Sequence, residues 1–487
     1  MSMPVNAPTQ IPDSSTPQAI RVVSDLIDRA KTAQTGYAGF TQHQVDEVVT
    51  AVAWTLLEPA TNRRLSEQAV ADTGLGRVAD KITKNHRKTL GLLRDLKHTS
   101  TVGVIARFPE QGLIEIARPV GVVGAVLPST NPVATPYNMV LNALKCGNAI
   151  IMAPSPKGQA VCVELVELMR NALRQVGAPL DLVQKLPQPA SKDTTYELMR
   201  QVDLVVVTGS ANNVRAAYSS GSPAIGVGAG NVPSIVDETA DLDDAAAKIT
   251  ASKVFDNATS CSSENSLVVL EEVYDAMITA LQAQGARRLT PEEKALLQEV
   301  MWAQGKLSNE VTGKSAAHIL HLAQIKPRTK TTSMILVEEE TPGLHSPFCD
   351  EKLSPVLTVF RARNFDHACE LVKEILNIKG KGHSVSIHSQ NQQRILQLGL
   401  TLPVCRVIVN QAHCFATGGS FDNGLPFSLS MGCGTWGRNS ISENLHYRHY
   451  LNTTRIVCTI APSEPDLEEI FGDYWRKYNI RKNVNQA

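Results

Sequence analysis

The sequence predicts an α/β fold built on a doubly wound parallel sheet, and three observations carry that reading. From residue 121 strands and helices alternate strictly. The strands are near-continuous apolar runs, as in sheets covered on both faces. A second alternating block begins near 233, so the 487 residues divide into two or three domains with a join around 233–240.

Helical patterns fill the first hundred residues. "TPQAIRVVSDLIDRAKTA" puts Ala19, Ile20, Val23, Leu26 and Ile27 on one face, and three more helices follow within 41–97. "TVGVIARFPEQGLIEIARPVG" reads as two strands around the turn signal "PEQG", an exposed hairpin suited to reach another subunit. "NTTRIVCTI" is an isolated strand able to pair with it. The first alternating block then runs "GVVGAVLP", helix 133–146, "NAIIMAP", helix 157–177, "DLVQKLP", helix 191–201, "VDLVVVTGS", helix 211–220 and "PAIGVG". Ligands of such sheets bind at the carboxyl ends of the strands, so "LPSTNP", "APSPKG" and "TGSANN" are predicted to line one crevice. The second block holds a helix at 241–257 and strands at 266–270, 332–338, 356–361, 383–388 and 405–409.

Lysine plus arginine number 47 and aspartate plus glutamate 47, so net charge is zero and the basic footprint of a general nucleic-acid binder is missing. No apolar run reaches the roughly 18 residues of a membrane span. The stretch "MSMPVNAPTQIPDSSTPQ" is polar and proline-rich and lacks the pattern of a signal peptide, which predicts a disordered arm over 1–18 and a cytoplasmic protein. The nine cysteines lie far apart without CxxC, so a disulfide framework is not expected. Cys405, His413, Cys414 and Cys433 match no common zinc spacing, and no metal is expected.

"GVGAGN" at 226–231 is not GxGxxG and follows the last strand of its block, so the ordinary dinucleotide fingerprint is absent. "TGS" at 208–210, between strand and helix, is a better place for a phosphate, though a structural turn reads equally well. Cys261 in "ATSCSSENS" has the small hydroxyl neighbours of a reactive thiol, where a core cysteine sits among apolar ones, as Cys458 does in "RIVCTI".

The ordered set "RPVGVVGAVLPSTNP", "KCGNAIIMAPSPKG", "DLVVVTGS", "GVGAGNVP", "NATSCSSENSLVV", "DEKLSPVLTVF", "KGHSVSIHS" and "GCGTWGRNSISEN" resembles the aldehyde dehydrogenases, in particular their CoA-acylating branch, over about 100 to 465. The resemblance implies that Cys261 attacks the aldehyde and that Asn131 and the Cys261 backbone N–H receive the oxyanion. Hydride transfer to a nicotinamide cofactor, NADP or NAD, then leaves a thioester. By the same resemblance Gly209 and Ser210 hold the cofactor diphosphate and Glu351 its nicotinamide ribose, with Pro128, Ser129, Thr130 and Gly228 completing the cofactor cleft. His383 belongs near the thiol, either as a proton relay or in a core or supporting place behind it.

Departures from the family pattern are informative. Hydrolytic members carry a glutamate that activates water, and Val227 stands at that position. Its absence points to release by the thiol of coenzyme A, giving acyl-CoA; Glu264 is the alternative base. "APSP" followed by Lys157 replaces the "KPAE" of many hydrolytic members, which permits NADP. Arg438 in "GTWGRNS" replaces a glycine and suits an anionic tail. By the overall resemblance the aldehyde is expected to be sulfoacetaldehyde, with acetaldehyde and then succinate semialdehyde as alternatives. A hydrolytic aldehyde dehydrogenase and a cysteine hydrolase with a histidine base are the rival readings.

The implied layout is an arm at 1–18, a dinucleotide-binding domain at 19–102 and 119–234, and a catalytic domain at 235–445. Oligomerisation strands take 103–118 and 446–464, with a tail at 465–487, in a homodimer or homotetramer.

Overall fold

A computed structural model describes residues 15–328 and 332–480. Four helices open the chain: α1 (Pro17–Tyr37), α2 (Gln42–Leu57), α3 (Pro59–Thr73) and α4 (Val78–Leu96). Local chemistry sets their ends. Thr16 caps α1 by accepting from the Ala19 N–H at 3.3 Å, with Pro17 in its first turn. Thr41 and Gln44 form a reciprocal capping box on α2. Ala19, Val23, Leu26 and Ile27 are buried as the periodicity predicts, but Ile20 lies on the outer edge of that face and is exposed. Residues 1–14 of the expected arm lie outside the described residues. Its last part is anchored, since Ser15 is buried and Thr16 bonds Asp193.

Strands β1 (Gly103–Phe108) and β2 (Leu113–Pro119) form the expected hairpin, followed by β3 (Val122–Val126), β4 (Ala149–Ala153), β5 (Val183–Lys185), β6 (Leu204–Thr208) and β7 (Ala224–Val227). The last five make a parallel sheet in the order β5-β4-β3-β6-β7. Helices α5 (Ala134–Lys145), α6 (Gln159–Gln175), α7 (Lys192–Gln201) and α8 (Ala211–Tyr218) cross between them. Strands β3 and β4 are buried at every position, which accounts for their unbroken apolar runs. The chain leaves β3 towards one edge and later returns to pair β6 on its other side. The loops after β3 and β6 therefore diverge and open a crevice at the carboxyl ends.

The second sheet begins with β8 (Val232–Val236), continues through β9 (Glu264–Leu270), β10 (Ala286–Arg288), β11 (Met334–Glu338), β12 (Val356–Ala362) and β13 (Val385–His388), and ends with β14 (Val407–Val409). Its order is β10-β11-β12-β9-β8-β13-β14, all parallel. Because β8 pairs β9 and β13, the second sheet starts at Val232, slightly before the join expected at 233–240. Helix α9 (Leu242–Val254) is shorter than the predicted 241–257, because Asp256, Asn257 and Ala258 turn into the left-handed region with φ of 51, 52 and 57°.

Strand β15 (Leu451–Val457) pairs antiparallel with β2, giving a separate sheet β1-β2-β15. Cys458, just beyond it, is exposed because this sheet stands at the surface; its apolar neighbours in sequence do not make it a core cysteine. The expected tail contains a helix, Leu467–Tyr478. Among the described residues no helix is long and apolar enough to cross a membrane.

Candidate active site

The carboxyl ends of the first sheet face the amino ends of β8, β9 and β12 across a cavity of about 510 Å³. The first sheet contributes Pro128, Ser129, Thr130 and Asn131 after β3, Ser155 after β4, and Thr208, Gly209 and Ser210 after β6. Val227 at the end of β7 is also from the first sheet, and the second contributes Gly228, Cys261 and Glu351. Register explains the convergence: β8 and β9 lie side by side from Val232 opposite Glu264, and β12 flanks β9. The segments entering these strands, with Gly228, Cys261 and Glu351, must therefore lie close together.

"GVGAGN" serves this approach. A Cβ on Gly230 would fall 1.8 Å from the Cys261 carbonyl oxygen, so only glycine lets the two backbones meet. The Gly228 N–H donates to Asn439 Oδ1 at 3.2 Å, and the same oxygen accepts from the Cys433 N–H at 2.9 Å.

The loop before Cys261 is polar but not wet. Asp256 is fully buried. Its carboxylate pairs Lys84 Nζ at 2.6 Å and Lys81 Nζ at 3.1 Å, and accepts from the Arg77 N–H and the Thr259 hydroxyl. These cations hold its pKa low against burial. The left-handed backbone aims Asp256 at α4, and the ion pairs hold that strained turn in place. Lys84 also donates to Asn131 Oδ1 at 2.7 Å, and Lys81 to the Thr130 carbonyl at 3.2 Å. An ammonium only donates, so the Asn131 oxygen is the atom that faces Lys84, and its Nδ2 is left to donate elsewhere.

Burial pushes the Cys261 thiol up to about 12, with the Glu351 carboxylate adding to it and its own backbone N–H opposing. Glu351 is itself raised to about 7, by burial first, against the pull of Lys379. Glu264 does not line the cavity. It is buried, accepts from the Ser252 hydroxyl and the His413 N–H, and is raised to about 7 by burial. That place fits a structural carboxyl and not the replacement base.

Three other expected site residues lie outside the cavity lining. His383 is buried, with Nδ1 2.6 Å from the Ser384 hydroxyl, and burial and then Arg406 hold its pKa well below the usual imidazole range. The buried Nε2 has no hydrogen-bond partner, and the ring stands outside the cavity lining, in the core or supporting place expected for it. Lys157 is exposed in the short turn Pro156–Gly158 before α6. Arg438 is exposed, with φ of 57°. This left-handed backbone explains the glycine of its relatives at that position without any ligand.

Sequence reading missed Lys84, Asp256 and Ser155. The first lies on a helix with no distinctive motif, and Asp256 falls in the last turn of the helix predicted over 241–257. Ser155 lines the cavity with a buried hydroxyl that has no hydrogen-bond partner. That orphaned group, with the start of α8 at Ser210, suits the sugar and diphosphate of a dinucleotide. No histidine is among the described residues lining the cavity, so a cysteine hydrolase has no base there.

A thiol and an oriented amide facing a dinucleotide cradle across two parallel sheets make this a thiol-dependent dehydrogenase. The chain belongs to the aldehyde dehydrogenase family, whose family model matches residues 12–327. It falls in the CoA-acylating branch. It is 57% identical to the acylating sulfoacetaldehyde dehydrogenase of Cupriavidus necator, over 97% of each chain. An acetylating aldehyde dehydrogenase from Geobacillus thermoglucosidasius superposes with a TM-score of 0.88 at 35% identity, covering 92% of this chain and 99% of that one. A propionaldehyde dehydrogenase of Rhodopseudomonas palustris with bound propionyl-CoA superposes with a TM-score of 0.80 at 26% identity, covering 90% and 94%.

Proposed function

We propose that the enzyme oxidises sulfoacetaldehyde, with NAD or NADP and coenzyme A, to the corresponding acyl-CoA. The observation that carries the acylating step is Val227. It lines the cavity, and by the family resemblance it stands where hydrolytic members carry a water-activating glutamate. The Cys261 sulfur attacks the carbonyl carbon, and the oxyanion forms against Asn131 Nδ2 and the Cys261 N–H, a pairing whose donors are each worth about 3–4 kcal/mol in comparable sites. The nicotinamide cofactor, when bound, accepts the hydride from that carbon. Cys261 is left as a thioester. A CoA thiolate then attacks the same carbon, the oxyanion re-forms in the same hole, and the Cys261 sulfur leaves. Gly209, Ser210 and Ser155 would hold the cofactor's diphosphate and sugar, and Glu351 its nicotinamide ribose.

The similarity to the Cupriavidus enzyme supports sulfoacetaldehyde, and the propionyl-CoA complex of the Rhodopseudomonas relative supports CoA entry into this cleft. The apolar residues Val104, Phe108, Ile456 and Val457, exposed on the β1-β2-β15 sheet, support a homodimer or homotetramer joined there. Absorbance at the nicotinamide band tests the reading, using NAD or NADP with sulfoacetaldehyde, acetaldehyde or succinate semialdehyde. Turnover that requires CoA and is fastest with sulfoacetaldehyde is expected. Sustained turnover without CoA would mean that water deacylates Cys261.

A further inference from the structure

We propose that Arg87, with Lys88 beside it, is the subsite that binds the sulfonate of the aldehyde, in place of Arg438. The assignment rests on the reading of the substrate as a short anionic aldehyde.

Four cations line the cavity: Lys84, Arg87, Lys88 and Lys379. Lys84 is paired with Asp256, and Lys379 with Asp350 at 2.5 Å. Among the described residues, Arg87 and Lys88 have no carboxylate within 4.0 Å. Both follow Lys84 on α4 at i+3 and i+4, so all three share one helix face. That spacing sets the two free cations one turn from the group that orients Asn131. Arg87 and Lys88 line the same cavity as Cys261 and Asn131, the space a sulfonate one carbon from the carbonyl must occupy.

Both side chains are pre-positioned. The Arg87 guanidinium lies 5.2 Å from the Phe415 ring centroid and 5.5 Å from that of Phe421, and spends one N–H on the Ser420 hydroxyl at 3.2 Å. Its remaining donors keep the planar fork that suits an oxyanion. Lys88 Nζ donates to the Gly418 carbonyl at 2.6 Å and the Gly419 carbonyl at 3.3 Å, which fixes the ammonium at the wall. Burial lowers its pKa to about 7, so a bound anion would favour its charged form. Phe255 and Phe415, packed at 4.5 Å, give the same part of the cavity an apolar wall. Asp422 and Asp95 are the neighbouring acids: Asp422 is held mainly by the Ser420 hydroxyl, and Asp95 pairs Arg94 at 2.9 Å.

The test compares kcat/KM for sulfoacetaldehyde and acetaldehyde, with CoA saturating, in the wild type, Arg87→Gln and Arg87→Lys. In Arg87→Gln the sulfoacetaldehyde-to-acetaldehyde ratio should fall by about 10- to 100-fold, the loss typical of a charged hydrogen bond, through KM for sulfoacetaldehyde. Arg87→Lys should recover part of the ratio. An unchanged ratio in a folded Arg87→Gln enzyme would overturn the subsite. So would a raised KM for CoA with both aldehydes alike, which would place a CoA phosphate on Arg87. If the wild type itself turns over acetaldehyde but not sulfoacetaldehyde, the substrate reading fails instead.

Discussion

Lys84 Nζ joins Asn131 Oδ1 at 2.7 Å to Asp256 Oδ2 at 2.6 Å. The amide proposed to receive the oxyanion is thus oriented by an ion pair from a different segment. Replacing Lys84 removes that hold and leaves Asp256 with Lys81 alone. Lys84→Met alone keeps the Lys81–Asp256 pair, so no buried charge is stranded. The Lys84→Met variant should bind cofactor yet lose about 10²-fold in kcat, the order seen when one oxyanion donor is lost. Steady-state kinetics beside a thermal melt checks this; a folded variant with wild-type kcat would refute the orienting role.

The Cys261 thiol predicts a pH dependence. With its pKa raised to about 12, thiolate is scarce at neutral pH, and its fraction rises about tenfold per pH unit below that value. Iodoacetamide alkylation of the free enzyme should rise in step. Glu351→Gln removes a neighbouring negative charge and so lowers the thiol pKa. Its alkylation should be faster than wild type above about pH 7, where Glu351 is ionised, with the difference shrinking below. A slower variant at pH 8.5 would reverse the sign of the argument.

Val227→Glu introduces a carboxylate into the cavity at the position the family pattern matches to the glutamate of hydrolytic members. CoA-independent reduction of the nicotinamide should rise by about 10²-fold, the typical contribution of a positioned general base. Progress curves without CoA report it directly. If they stay flat while the CoA-dependent reaction survives, position 227 does not decide between water and CoA.

Arg438 sits at φ of 57° with its side chain exposed, a backbone more comfortable for glycine. Arg438→Gly should raise stability by up to about 1 kcal/mol, the relief of a left-handed residue less the added freedom of the unfolded chain. The melting temperature should rise slightly, and KM for sulfoacetaldehyde should hold. A large rise in that KM would return the anion subsite to Arg438.

Alternation and apolar runs made both parallel sheets legible, and the pairing of "NTTRIVCTI" with the hairpin was legible from their isolation. Family motifs led to Cys261, Asn131, Glu351, Gly209 and Val227, all of which line one cavity. The other parts of the site depend on relations that local sequence does not express. Asp256 reads as the polar end of the helix over 241–257 until its left-handed backbone turns it inward. Lys84 and Arg87 read as the polar face of a helix until that helix is packed on the site. Arg438 looked like a ligand because a change from glycine is conspicuous, whereas its backbone explains why glycine is common there.

The core around the first sheet includes Phe427, Leu445 and Tyr450 beside Val123 and Tyr137. These aromatic and aliphatic plugs leave the ribosome some 300 residues after β3, roughly 15 to 65 seconds later at ordinary elongation rates. The nascent amino-terminal half therefore waits with an open seam, and Asn148, whose side chain donates to the Tyr450 carbonyl at 2.8 Å, waits with it. The core of the first sheet is thus completed by residues made long after its strands. A ribosome stalled before Leu445 would hold an unfinished sheet, a natural target for chaperones and proteases.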